Sequence, residues 1–147
     1  MQRPVCPTDF TPAWARELIA YLGGDPTQVR DTWCWPHFGE AFPHLREAAE
    51  KYFEEAAARG EGDPAWAAYR LARYDLAPVD WAQAVIERAA AARGEGDPAE
   101  AAYLLARDCG APVDWAQAVI ERALAASCGN PAWAAYRLAY SCAVPVA

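Results

Sequence analysis

The sequence predicts an all-α protein, a right-handed stack of α-hairpin repeats with an N-terminal helical cap. Three observations carry this. The thirteen residues "APVDWAQAVIERA" occur twice, at 77–89 and 111–123. An Asp/Asn-Pro pair recurs at Asp63-Pro64, Asp97-Pro98 and Asn130-Pro131, spaced by 34 and then 33 positions. Between these marks the apolar residues return with helical spacing. A fixed period of this length is the mark of a repeat architecture, in which each unit buries its apolar face only by stacking on its neighbours.

The units align as 62–95, 96–128 and 129–147, the last carrying only a first half. Upstream, 44–62 matches a second half, and 29–42 is its drifted first half. The chain of 147 residues is therefore expected to be one domain, with a cap over 1–43 and repeats over 44–147.

Each unit reads as two short helices. Helix A starts on Asp63, Asp97 or Asn130 as N-cap, with proline at the first helical position. Helix B is expected to start on Asp80 or Asp114, each with a glutamine three residues on. Pro78 and Pro112 separate the two helices. Gly60, Gly94 and Gly129 stand where a left-handed C-terminal residue belongs. Val79, Trp81, Ala82, Val85, Ile86 and Ala89 form the buried stripe of helix B; Ala65, Ala68, Tyr69, Leu71 and Ala72 form that of helix A. The many alanines allow close helix approach. In the cap, "TPAWARELIAYLGG" begins like a helix A, and Asp25 opens a second helix.

"GDPAWAAYRLAR" and "GDPAEAAYLLAR" resemble the short α-hairpin repeats of a group of bacterial and phage proteins, and more loosely those of tetratricopeptide and HEAT solenoids. The resemblance covers 44–147. It implies a binding scaffold and names no partner.

Composition narrows the function classes. A net charge of -7 disfavours nucleic-acid binding and suits docking to a basic surface. No apolar run is long enough for a membrane span, and the five cysteines show no disulfide framework. A cytoplasmic, cofactor-free chain that is not an enzyme is expected. No phosphate loop or nucleophile–base set is present, and "RGEGDP" reads as a helix–helix turn. Glu54/Glu55 and Glu47/Glu50 read as solvated carboxylates. Cys109 and Cys142 fall in equivalent positions but too far apart to bridge.

The expected function is protein–protein interaction, as a small adaptor or inhibitor of one partner, by analogy with phage inhibitors and immunity proteins. The candidate surface is a column of helix A residues: Trp66, Arg70 and Arg73, then Glu100, Leu104 and Arg107, then Trp133, Arg137 and Tyr140. Trp, Tyr and Arg are the types that dominate binding hot spots. The competing reading buries Trp66 and Trp133 between hairpins. The last helix A, with one charge at Arg137, offers a second route, a homodimer through an uncapped end. An alternative class of function is a small-ligand site built on Trp33, Cys34, Trp35, His37 and His44. A metal site from Cys6, Cys34, His37 and His44 is not expected, because the spacing matches no common pattern.

Overall fold

The structure is a computed structural model describing residues 2–31, 41–126 and 131–142, without the side chains of 126 and 140–142. It is all-helical. The helices are α1 (Pro12–Tyr21), α2 (Arg46–Arg59), α3 (Pro64–Arg73), α4 (Val79–Ala92), α5 (Pro98–Cys109), α6 (Val113–Ala126) and α7 (Pro131–Cys142). Two single 3₁₀ turns, Pro26–Gln28 and Pro43–Leu45, lie between α1 and α2. The second helix expected from Asp25 reduces to the first of these turns: Asp25 caps Thr27, and Val29 then returns to extended backbone.

The helix starts at Asp63 and Asp97 follow the sequence, while the expected start at Asn130 and the turn glycine Gly129 lie outside the described residues. The Asp63 carboxylate accepts the Trp66 N–H at 3.2 Å, and Asp97 accepts that of Glu100 at 3.1 Å. Each such cap contributes about 1 kcal/mol. Thr11 does the same for Trp14 at the head of α1. Helix B differs from expectation. Pro78 is the N-cap of α4 and gives no side-chain bond, so Asp80 lies in the first turn; Asp114 does so in α6. There the two carboxylates face the positive end of the helix dipole instead.

Helix ends differ in one place. Gly60 closes α2 with φ 68°, as expected, but Arg93 takes that role for α4 with φ 54°. Gly94 is required for a different reason. A Cβ on Gly94 would stand 2.4 Å from the Gly60 carbonyl oxygen. The turn of one unit is therefore pressed onto the turn before it.

Packing runs between neighbours. Helices α3, α5 and α7 contact one another in succession, as do α2, α4 and α6, and α3–α4, α5–α6 pair within a unit. Alanines make the close contacts: Ala65, Ala68, Ala82, Ala99, Ala102 and Ala116 are fully buried. Tyr103, Ile86, Leu105 and Ile120 fill the remaining volume. Among the described residues no polar or charged residue is buried.

A second cluster joins the cap to α2 and α3 through Trp14, Leu18, Ile19, Phe42, Tyr52 and Phe53. The rings of Phe10, Trp14, Tyr52, Phe53 and Trp66 pack at 5.2–6.4 Å. Residues 3–7 occupy the place a preceding inter-helix turn would take. The Asp63 N–H donates to the Pro7 carbonyl at 2.9 Å, and a Cβ on Gly62 would clash with Cys6 and Pro7. Arg3 pairs with Glu61 at 2.9 Å, and the Tyr52 hydroxyl donates to the Pro4 carbonyl.

Candidate functional site

Two ladders of polar contacts tie the units together, and they define which side chains face outward. The first runs along the B helices. Counted from each helix start, the third residue is Ala48 in α2, Trp81 in α4 and Trp115 in α6; the ninth is Glu54, Glu87 and Glu121. The Trp81 indole donates to Glu54 at 2.9 Å, and the Trp115 indole donates to Glu87 at 2.7 Å. Each bond reaches one unit back. Sequence reading placed Glu54 in solvent; it is instead partly buried and accepts from the next unit's tryptophan, as does the exposed Glu87. A half-buried indole N–H needs an acceptor, and a carboxylate is a strong one.

The second ladder runs along the A helices. The sixth residue of each is a tyrosine: Tyr69, Tyr103 and Tyr136. The Tyr69 hydroxyl donates to Asp108 of the next unit at 2.5 Å. Arg107 grips the same carboxylate through two bonds of 2.7 and 2.9 Å, and Arg73 approaches it at 3.9 Å. The Arg107 bonds, then those from Tyr69, hold the Asp108 carboxyl below the usual range. Burial, with Asp108 alongside, pushes the Tyr69 phenol up to about 12. Tyr103 accepts from Arg107 and lies under the Arg137 guanidinium at 4.4 Å.

The expected Trp/Arg column is therefore broken. Trp66 is half-buried and stacks on Phe10 of the cap, with centroids 5.4 Å apart. Arg70 lies between the Trp66 and Tyr74 rings, 5.2 Å from each. Arg107 is engaged by Asp108, and Arg137 pairs with Glu100 across the unit boundary. Trp66 is partly buried against the cap and not between hairpins, and Trp133 is exposed and stacks on Tyr136 with centroids 5.7 Å apart. The Tyr140 side chain lies outside the described residues. Asp108, the hub of the second ladder, was missed. Its signal was drift: the aligned positions are Tyr74 and Ser141, so an acid there is peculiar to one unit.

What remains outward is the face of α6 and α7. Tyr136 is 59% exposed, whereas Tyr69 and Tyr103 are 6% and 2% exposed. Position twelve of helix B shows the same change: Ala57 and Ala90 are buried, but Leu124 is 45% exposed. Glu121 receives no indole; among the described residues its contact is Gln117 at 3.4 Å.

Of the alternative ligand cluster, Trp33, Cys34, Trp35 and His37 lie outside the described residues. His44 is exposed beside Phe42. Among the described residues no group of three potential metal ligands comes together. Cys6 and Cys109 are free thiols, and burial, ahead of the Asp63 and Glu61 charges, pushes Cys6 up to about 12. An apolar cavity of about 140 Å³ opens between α1, α2 and α3, walled by Leu18, Ile19, Phe42, Leu45, Phe53 and Leu71. No described helix is long and apolar enough to cross a membrane. No family model, curated protein or solved structure matches the chain.

Proposed function

We propose that this chain is a right-handed α-hairpin solenoid whose activity is non-enzymatic binding of a protein partner, as an adaptor or inhibitor. The observation that carries the reading is the exposure of Tyr136 at a position buried in both other units. Exposed apolar side chains on two packed helices, Leu124 on α6 and the stacked Trp133 and Tyr136 on α7, are of the kind that marks interaction sites. Tryptophan and tyrosine are also the side chains most often found at binding hot spots. Arg137, 5.8 Å from the Trp133 ring, supplies a polar neighbour. The net charge of -7 favours a partner with a basic surface.

Site-specific photo-crosslinking in the native cell tests this. A photoreactive amino acid at 136 should form one dominant protein adduct, and the same group at Arg88, on an exposed face of α4, should not. Equal labelling at both positions, or none at 136, would refute the reading. Trp133→Ala should reduce the adduct while leaving the melting temperature within about 2 °C, since its ring is half-exposed.

A further inference from the structure

We infer that the C-terminal end of α3 is a docking site for an acidic segment of the partner, with Arg70 and Arg73 gripping a carboxylate beside the exposed Tyr74 ring. This rests on the protein-binding reading only for the partner's being a protein.

The inference comes from comparing two units at aligned positions. The second unit carries Leu104, Arg107 and Asp108; the first carries Arg70, Arg73 and Tyr74. One cation beside its own acid is replaced by two cations beside a ring. Arg107 binds Asp108 through bonds of 2.7 and 2.9 Å. The pair in the first unit has no such answer. Among the described residues Arg70 makes no ion pair or hydrogen bond, and its Nε is buried without a partner. Arg73 stands 3.9 Å from Asp108, a carboxylate already held by Arg107 and Tyr69. The negative end of the α3 dipole is worth about half a charge, too little for two guanidiniums.

The two arginines are also held in place. Arg70 lies 5.2 Å from the ring centroids of both Trp66 and Tyr74, and Arg73 lies 5.7 Å from that of Tyr74. Trp66 in turn stacks on Phe10. Three residues apart on a helix, the arginines share a face. Side chains ordered in advance lose little entropy on binding, and a guanidinium fork matches a carboxylate. Tyr74, 44% exposed, offers apolar contact next to them. The patch reverses the sign of the chain as a whole. A net charge of -7 still repels a long polyanion, so a short acidic peptide segment suits the patch and a nucleic acid does not.

The test uses the full chain at constant ionic strength, with tetraglutamate as probe and the NMR signals of the arginine Nε–H groups as readout. The Arg70 and Arg73 signals should shift and saturate together, while that of Arg88, exposed on α4, should not. Arg70→Gln should weaken binding about fivefold or more, the effect of a charge-assisted bond discounted for a partly exposed site. Tyr74→Asp supplies the acid that the second unit has in Asp108. It should abolish saturation with both arginines present and the helical circular dichroism unchanged. Shifts without saturation, equal shifts at Arg88, or binding indifferent to both changes overturn the inference. Oligothymidylate of the same charge binding as tightly overturns it in favour of a nucleic acid, and inorganic phosphate doing so overturns it in favour of a phosphoryl group. Any of these results beside a protein adduct at position 136 refutes this inference alone and leaves the protein-binding reading standing.

Discussion

Gly94→Ala should destabilise this protein far more than an alanine at a surface turn, because of what lies opposite. The added Cβ would stand 2.4 Å from the Gly60 carbonyl oxygen and 2.8 Å from two further backbone atoms of Gly60. Ordinary contact begins near 3.4 Å, so one turn must move by about 1 Å against the other. The atoms met are backbone and cannot rotate aside. Overpacking of this kind costs about 1–3 kcal/mol. The lower entropy of the unfolded chain returns at most about 1 kcal/mol. Because the opposing atoms are rigid backbone, the upper end of that range applies, so the net loss is about 2 kcal/mol, and both units should feel it because the turns join them. Gly110→Ala is the matched control. Its backbone has φ 74°, so alanine is strained, but nothing lies within 4 Å of the new Cβ. That change should cost about 1 kcal/mol. Urea denaturation followed by far-UV circular dichroism reads both, with the slope m expected to stay constant. If Gly94→Ala costs no more than Gly110→Ala, the turns are not in contact and the stacking described above is wrong.

Removing the Trp115 donor by Trp115→Phe should lower stability by about 1 kcal/mol, and the loss should shrink in a Glu87→Gln background when measured as a double-mutant cycle. Asp108→Asn should cost about 2 kcal/mol at pH 7, since its bonds to Arg107 and Tyr69 are charge-assisted. The Asp108 carboxyl is held below its usual value, so its contribution is present above the ordinary range and is lost as pH falls through the lowered value. The gap between wild type and Asp108→Asn should therefore close in acid. Cys6 runs the other way: its folded value is raised to about 12, so stability is complete below the ordinary thiol value of 9.0 and declines as pH rises toward 12. Alkylation followed by peptide mass mapping should leave Cys6 unmodified at pH 8 in the native protein and modify it in urea. Ala49→Leu, at the wall of the 140 Å³ cavity, should raise the melting temperature, and a fall would show that the space is already filled.

The periodic part of the fold was legible because its signals are local. An Asp-Pro start, a 3.6-residue apolar stripe and a turn glycine each specify their own neighbourhood. All five residues read from sequence as the buried stripe of α3 are buried, and Pro64 and Ala67 join them. Errors arose where two units meet, which a single unit's pattern does not encode. Gly94 was read as a cap because glycines at helix ends usually are; its actual role is to let another backbone approach. Glu54 was read as solvated because it lies off the apolar stripe, yet a long side chain on that flank reaches the following unit. The cover over Trp66 was not legible for a similar reason. Phe10, which covers Trp66, lies 56 residues earlier, outside any repeat.

These interfacial contacts also give two of the thirteen repeated residues, the tryptophan and the glutamate, a shared role. Within "APVDWAQAVIERA" the tryptophan answers a glutamate one unit back, and the glutamate stands ready for a tryptophan one unit on. The segment is thus both plug and socket. Altering either residue in one copy would leave a half-buried indole N–H or an idle carboxylate in its neighbour. Each copy is constrained by the other, and a segment that recognises its own kind has little freedom to drift. The same logic separates the two ends of the stack. At α2 the plug is absent, since Ala48 replaces tryptophan, and the extended residues 3–7 and the aromatic cap cover that end. At α6 the socket is kept, with Glu121 exposed and Leu124 enlarged from the alanine of the other units. The two ends thus differ in cover: residues 3–7 lie over the first, whereas Leu124, Trp133 and Tyr136 are exposed near the second.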